Sequence, residues 1–573
     1  MSQTIWHEPD ALPPEYASLH TDPLLAALLY QRGMRDVTSV SRFLQRQPSA
    51  APDPYQIPGM EEAVLRVGKA LQARETIGIF GDYDADGITA TALLVRALQG
   101  VDSEQRRVIA RLPTRAEGYG LSRVAIDELV DAGARLLIAV DCGSSDPEHV
   151  GYARTRGLDV IVIDHHQMAA GDTGPLGAIV VSAQLSPDPL APARQLASVG
   201  LAYLLVSALA QEGWPIGDGH SETDLQDLVA IGTIADVAPL TGINRALVRD
   251  GLAMMRDRPR AGLAALCAVS DVKLRMLDAE DIGFRLAPRL NAAGRLGDPS
   301  LALDLLLTDD PKLASRIAGQ LEAINVKRKI DTARMFDDAQ RLLEQDPDWE
   351  KRPVIVVRST DWTAGLVGIV AGRLAEQYGR PALVLHDDGE RSRGSARSVP
   401  GLDITQTLGT PACNGLLLHY GGHRQAAGLT LWSTSVPALR SALENTVAAT
   451  GMQLPLSPSL RLDAEIPIAR LRLDTARALA TLEPFGAGNE RPLLLLRDVE
   501  ISRYTVMGRD KSHLKLFIRI NGREVPVLAW GAADRSHEFM KHRAWDLAIT
   551  VGEDHWNGQA RLHIEAKDFR PTQ

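Results

Sequence analysis

The sequence predicts an α/β protein: a parallel-sheet domain joined by a long helix to a smaller α/β domain, with an all-β barrel after it. Three observations predict this. Strand-length apolar runs, Leu136–Val140 and Val160–Ile163 among them, are continuous rather than alternating and have helical patterns between them, as strands covered on both faces of a parallel sheet do. Residues 299–346 carry helical periodicity without strand signals, which reads as one or two long helices joining two lobes. From about residue 455, short alternating strands with turn residues between them fit a small barrel. A chain of 573 residues is too long for one core, and the expected divisions are 1–54 (a lead-in), 55–298, 299–350, 351–450 and 455–573.

Composition narrows the class. Hydrophobic residues make up 45% and charged residues 23%, the balance of a soluble globular chain. No apolar run approaches the ~20 residues of a membrane span, and the N-terminus lacks a signal-peptide pattern. Cys142, Cys267 and Cys413 are scattered and odd in number, which argues against a disulfide framework or a zinc finger and for a reducing cytoplasm. The formal net charge of −10 has the wrong sign for a chain that wraps non-specifically around nucleic acid. It leaves such a substrate open if the acids gather at a metal site and the bases line one groove.

Residues 1 to about 70 mix Pro-rich segments with short helical patterns such as Leu24–Arg32, and read as a lead-in packed on the next domain. Ile77–Phe80 is then a buried strand, and Ile88–Leu98 a helix. Between them Gly81 and Gly87 bracket Asp82, Asp84 and Asp86. Three carboxylates at alternate positions repel one another and call for a counter-charge, for which an oxygen-liganded dication such as Mg²⁺ or Mn²⁺ is the usual choice. An ordinary acidic turn is the other reading.

The next two strands also end in acids: Asp141 after Leu136–Val140, and Asp164-His165-His166 after Val160–Ile163. In a parallel sheet the carboxyl ends of the strands line the ligand crevice, so these sets converge. Between them lies the loop Leu112–Leu121, whose Arg115 either reaches a phosphate or sits as a solvated loop arginine. Asp236, among small apolar neighbours in Ile231-Gly-Thr-Ile-Ala-Asp236, is either a buried metal ligand or a cap on the following segment. Together Asp82, Asp84, Asp86, Asp141, His165, His166 and Asp236 offer enough oxygen and nitrogen donors for two dications, the arrangement that clamps attacking and leaving oxygens in phosphoryl transfer. Asp141 is the candidate bridging ligand. His166, offset from the ligands, would stabilise transition-state charge or protonate the leaving oxygen.

Asp-Tyr-Asp-Ala-Asp-Gly, Val-Asp-Cys-Gly, Asp-His-His and Gly-Thr-Ile-Ala-Asp, in this order, resemble the four motifs of the DHH phosphoesterase superfamily. From about residue 55 to the end the chain is similar to the RecJ family of single-strand-specific 5′→3′ DNA exonucleases. Gly283-Phe-Arg-Leu-Ala-Pro-Arg-Leu-Asn-Ala-Ala-Gly-Arg places Arg285, Arg289 and Arg295 among small residues, where bidentate phosphate contact is possible, and closely resembles a segment of that family. Lys327-Arg-Lys329 on the long helix could follow a strand backbone or lie on a solvated face.

The second α/β unit has strands Val354–Val357 and Ala382–Leu385, and carries its chemistry in three runs: Trp362–Leu374, Gly394–Ser398 and Tyr420–Gly428. Ser395, Arg397 and His423 are donors suited to phosphate. These runs look like a DHHA1 substrate-binding domain, and the resemblance implies that Ser395 and Arg397 hold the 5′-phosphate end while His423 contacts the phosphate near the metals. Thr363 stands where relatives usually carry His after the Trp. In the last domain Leu514–Ile520 alternates, with Lys515, Phe517 and Arg519 on one face, Asn521-Gly522 reads as a hairpin turn, and Leu482–Pro492 is similar to the segment leading into the family's OB fold. A basic and aromatic barrel face would stack bases without reading sequence.

The resemblance therefore implies a metal-dependent exonuclease, using Mn²⁺ or Mg²⁺, that degrades single-stranded DNA from its 5′ end to 5′-mononucleotides. It implies roles in recombinational and mismatch repair, a monomer, and single-strand-binding protein and a helicase as partners. Two other readings are a DHH phosphodiesterase acting on short oligonucleotides, disfavoured by residues 455–573, and a non-catalytic DNA-binding scaffold, disfavoured because every motif acid and both histidines are present.

Overall fold

The computed structural model describes residues 4–44, 53–99, 107–168, 171–217, 221–520, 522–556 and 559–572. It divides into two compact units, one of residues 50–238 and 243–456 and the other of residues 1–49, 239–242 and 457–573.

The first unit is built on a five-stranded, all-parallel sheet of β1 (Thr76–Gly81), β2 (Val108–Arg111), β3 (Ala134–Val140), β4 (Asp159–Ile163) and β5 (Ile179–Val181), in the order β2-β1-β3-β4-β5. Leu136–Val140 is buried throughout, which is why its apolar run does not alternate. The order reverses between β1 and β3, so the carboxyl ends of these neighbours open the crevice where doubly wound sheets bind ligands. Asp82 follows β1 and Asp141 follows β3, so both stand at that crevice. Three helices close the site: α1 (Ala85–Leu98), α2 (Ser198–Gln211) and α3 (Gln226–Ala235), all largely buried.

Beyond them α4 (Pro311–Glu344) runs for 34 residues, as the long periodic segment predicts. A second five-stranded sheet follows, ordered Leu417–His423, Ala426–Trp432, Arg391–Arg397, Ala382–Asp387, Ile355–Ser359, with only the last two strands parallel. The glycine-rich Tyr420–Gly428 run is thus a hairpin pairing His423 with Ala426, and it joins the strand that carries Ser395 and Arg397.

In the second unit five strands close on themselves: Leu494–Met507, His513–Ile520, Arg523–Ala529, Gln559–Pro571 and Ala544–Trp556, the last pairing back to the first. This is the small closed barrel expected from the alternating strands. Leu514, Leu516, Ile518 and Ile520 are buried, whereas Lys515, Phe517 and Arg519 share the outer face. The Arg503 guanidinium lies 3.5 Å from the Phe517 ring centroid, so that face is basic and aromatic. Asn521 of the expected turn lies outside the described residues, and Gly522 takes a left-handed φ of 77°.

One expectation is corrected here. Of the lead-in expected on the sheet domain, residues 50 to about 70 do belong to that unit, whereas residues 1–49 belong to the barrel unit. Ile5–His7 pairs in parallel with Ser459–Arg461, and Leu24, Leu25, Leu28, Leu29 and Val40 share one core with Leu482, Leu547 and Trp545. The helix Pro23–Gln31 is apolar on nearly every side, so it needs a core around it rather than a surface beneath it. Asp22 pairs with Arg470 at 2.5 Å and Arg32 donates to Asn489, tying the segment across more than 400 residues of sequence.

Candidate active site

The acidic loop begins as β1 ends. A Cβ at Gly87 would lie 2.6 Å from the Asp82 backbone nitrogen, so the tight turn requires glycine there. Asp82 is buried, and its Oδ1 has no hydrogen-bond partner in the protein. Asp84 caps α1, accepting from the backbone nitrogens of Asp86 and Gly87 at 3.0 and 3.2 Å, so the helix starts three residues before Ile88 and Asp86 lies in its first turn. Asp86 differs from its neighbours: its Oδ2 accepts from Ser198 N at 2.8 Å and its Oδ1 from Val199 N at 3.0 Å. Both oxygens of this expected ligand are therefore engaged by the start of α2.

Asp141 is 2% exposed and sits at φ 64°, a left-handed conformation that Asp tolerates better than most residues. Its Oδ1 accepts from Ser198 Oγ at 2.9 Å and lies 3.4 Å from His165 Nε2. The other nitrogen of His165 is 3.7 Å from Asp236 Oδ2, at the carboxyl end of α3. Three groups of donor atoms, each mutually within 4.8 Å, result: Asp82, Asp84 and Asp141; Asp141, His165 and His166; Asp86, His165 and Asp236. The seven acids and imidazoles read from sequence thus meet in one place, with Asp141 and His165 each belonging to two groups.

Burial, reinforced by the neighbouring carboxylates, raises Asp82 and Asp141 well above the ordinary carboxyl range. The same causes lift Asp236 to about 8 and Asp86 to about 7. His165 is pushed down to about 4 by burial and by the nearby His166, so at neutral pH it is a neutral imidazole. Acids reluctant to ionise, an unpartnered buried carboxylate oxygen and a neutral imidazole form a donor set that fits hard divalent cations.

Asp164, the first residue of the Asp-His-His run, is missing from the sequence-derived site and proves central. Its Oδ1 is 2.7 Å from His166 Nδ1, and it also accepts from the backbone nitrogens of His166 and Ser144. Burial opposes ionisation of Asp164, but the His166 hydrogen bond and charge outweigh it and hold the acid at about 2. Burial likewise opposes the His166 cation, and Asp164 outweighs it, raising His166 to about 9. His423 stacks on this imidazole, with centroids 5.3 Å apart and planes 12° apart. Tyr119, also unforeseen, donates to the Asp141 carbonyl at 3.2 Å and meets the His166 ring edge-on.

Cationic side chains gather in the same unit. Arg115 lies 4.3 Å from the Tyr83 ring centroid and donates to Gly294 O. Arg295 donates to Gly365 O at 3.2 Å. Burial and the like charges of Arg115, Arg328 and Arg397 depress Arg295 to about 10, so three further guanidinium groups surround Arg295. Arg397 contacts Ser395 Oγ at 2.5 Å, and a Cβ at Gly368 would come within 3.2 Å of both side chains. Gly368 thus lets the start of helix Val367–Tyr378 close on them. Arg328 was hidden in the basic run: Lys327 and Lys329 are exposed, whereas Arg328 turns inward, and its Nε and Nη2 donate to buried Asn325. Arg289, expected on phosphate, is instead buried and ion-paired with Glu322 of α4 at 2.5 Å. Asn291 reaches back from the same segment to accept from Ala85 N at 2.8 Å. Thr363 contributes its carbonyl to the turn entering helix Val367–Tyr378, accepting from Leu366 N.

Comparison with known proteins places this geometry. Residues 76–233 match the DHH family N-terminal domain, 351–449 the DHHA1 domain and 462–568 the RecJ OB domain. A single-stranded-DNA-specific exonuclease RecJ of Haemophilus influenzae is 33% identical over 97% of both chains. Two crystal structures of RecJ from Thermus thermophilus superpose over all of this chain. The Mn²⁺ complex gives a TM-score of 0.82 at 32% identity over 80% of its own length, and the Mg²⁺ complex 0.76 at 31% over 79%. With the DHH, DHHA1 and RecJ OB domains matched one after another along the chain, and one RecJ 33% identical over 97% of both chains, the chain belongs to the RecJ family.

Proposed function

We propose that this chain is a single-strand-specific 5′→3′ DNA exonuclease that releases 5′-mononucleotides. One observation carries the reading: the acids of two strand ends and two helix ends share a buried centre with His165, and a cluster of four guanidinium groups is built into the same unit. Asp82, Asp84, Asp141, His165 and Asp236 would hold two divalent cations, Mn²⁺ or Mg²⁺ as in the relatives' structures, which would supply an acidified water and charge for the attacking and leaving oxygens. His166, kept cationic and oriented by Asp164, stabilises transition-state charge or protonates the leaving oxygen. Arg115, Arg295, Arg397 and Ser395 hold the 5′-phosphate, and His423, stacked on His166, contacts the phosphate next to the metals. Arg289 is left to brace α4.

In this reading the enzyme works as a monomer in the cytoplasm on strands exposed in recombinational and mismatch repair, opened by a helicase and coated by single-strand-binding protein. That setting carries over from the family alone. Among the described residues, no helix is long and apolar enough to cross a membrane.

End-labelled single strands and blunt duplexes incubated with Mn²⁺ test the activity. Mononucleotides are expected from the single strand and little product from the duplex; equal degradation of both refutes the specificity. The phosphate grip has its own test. Arg397→Ala removes a charged donor, an interaction on the order of 1.5–3 kcal/mol. It is expected to raise KM for a 5′-phosphorylated strand about 10- to 100-fold while moving kcat less. A KM unchanged from the parent removes Arg397 from the grip.

A further inference from the structure

Helix α2 begins without a cap of its own: its N-cap residue is Ala197, which offers no side-chain acceptor. The missing acceptor comes from Asp86, 112 residues earlier, whose two oxygens take the first two N–H groups, those of Ser198 and Val199. With its backbone held in this way, Ser198 commits its only hydroxyl proton to Asp141 Oδ1 at 2.9 Å. That oxygen is the one facing His165 Nε2. Helix α3 closes over the joint through Gly232, where a Cβ would lie 3.1 Å from Asp86 Oδ1 and collide with Thr89 Oγ1. One turn later, Asp236 N bonds to Gly232 O. The seat that holds α2 therefore also sets the end of the helix that carries Asp236.

We infer that Asp86 and Ser198 are a positioning pair standing behind the metal ligands: Asp86 clamps the start of α2 so that Ser198 fixes the direction of the Asp141 carboxylate. This rests on the dimetal reading above, and it takes Asp86 out of the set of direct ligands. Both Asp86 oxygens already accept a backbone N–H, so a cation would have to share each of them with the start of α2, whereas Asp82 has an unpartnered oxygen. A hydrogen bond that orients a ligand carboxylate typically supports metal affinity or activity by 10- to 100-fold.

The test uses the full chain and Mn²⁺, with bound and free ion separated by the electron-paramagnetic-resonance signal of the free ion. The parent is expected to take up two ions. Ser198→Ala should weaken Mn²⁺ uptake about tenfold or more and lower kcat by a similar factor. KM for the strand should stay at the parent value, and Ser198→Thr, which restores the hydroxyl, should recover much of the loss. Asp86→Asn should lower the melting temperature of the metal-free protein, because an amide cannot accept both N–H groups. If Asp86 were a ligand and not the clamp on α2, Asp86→Asn would abolish one ion's binding while the metal-free protein melted at or above the parental temperature; this result overturns the inference. So does Ser198→Ala with parental Mn²⁺ affinity and turnover. If the parent itself binds no Mn²⁺, the metal reading falls and this inference with it, a failure visible in the parent rather than in the variants.

Discussion

Asp141→Asn is expected to lower turnover on single-stranded DNA by on the order of 10³-fold or more, equivalent to about 4 kcal/mol of transition-state stabilisation, with strand binding near the parental level. Asp141 earns this place by position. It belongs both to the donor group with Asp82 and Asp84 and to the one with His165 and His166, so its removal strips donors from both halves of the proposed centre. Its oxygen is already held by Ser198, and its backbone sits in a left-handed conformation at the end of β3. The arginines of the phosphate grip come from other elements, so affinity for the strand should survive. The metal-free variant is also expected to melt at a higher temperature than the metal-free parent, because one buried acid leaves a repelling cluster. It should gain less from added Mn²⁺ than the parent does. Turnover within tenfold of the parent would remove Asp141 from the chemistry.

What the sequence could reveal depended on whether the physics was local. Continuous apolar runs marked β3 and β4 because burial on both faces leaves no polar alternation, and the acids after them fell at the crevice because strand direction alone puts them there. Ser198 carried no such mark. Its neighbours Ala197 and Val199 are ordinary apolar residues, and its importance arises only where α2 meets an acid 112 residues away. Arg289 and Arg295 look equivalent in sequence; their separation is tertiary, since Glu322 of α4 lies against one and Arg115 and Arg397 lie near the other. Asp164 carries no local mark of its own, because a strand-ending acid is common and the rarer signal beside it is the pair of histidines. Yet an acid fully buried against His166 decides that imidazole's charge. The helix Pro23–Gln31 was legible as a helix, but an all-round apolar surface does not say which core surrounds it.

The second large effect is on stability in the absence of metal, and its sign follows from proton counting. Between pH 6.5 and 8, Asp236, Asp86 and His166 in the folded protein still hold protons that the unfolded chain has released or is releasing, and Asp82 and Asp141, raised by burial and the neighbouring carboxylates, act in the same direction. Asp236, raised to about 8 by burial and by Asp86 and Asp84, is ionised in the unfolded chain above about 4. Asp86, raised to about 7 by burial and by Asp84, behaves likewise over the lower part of the window. His166, raised to about 9 because Asp164 overcomes its burial, contributes stability that is present below about 6.5 and is lost as pH climbs toward 9. His165, depressed to about 4, and His423, also depressed by burial and by His166, have the opposite sign, but they offset the fall only near pH 6.5, where the unfolded imidazoles give up their last protons; Asp164, held at about 2, is ionised throughout. The folded state therefore binds more protons than the unfolded one across the whole window, so stability falls as pH rises, at up to about 1.4 kcal/mol per pH unit for each group. In chelator the loss from pH 6.5 to 8 is expected to be on the order of 2–4 kcal/mol. Mn²⁺ replaces those protons as the counter-charge and binds more tightly as they leave, so with the ion present the melting temperature should hold level or rise over the same window. At ion concentrations about 1,000-fold above Kd each occupied site adds about 4 kcal/mol. Asp236→Asn should flatten the chelator curve, since the amide has no proton to lose. Thermal melts at half-unit pH steps with chelator and with Mn²⁺ decide the matter: parallel curves would mean that the cluster needs no cation to bear its charge.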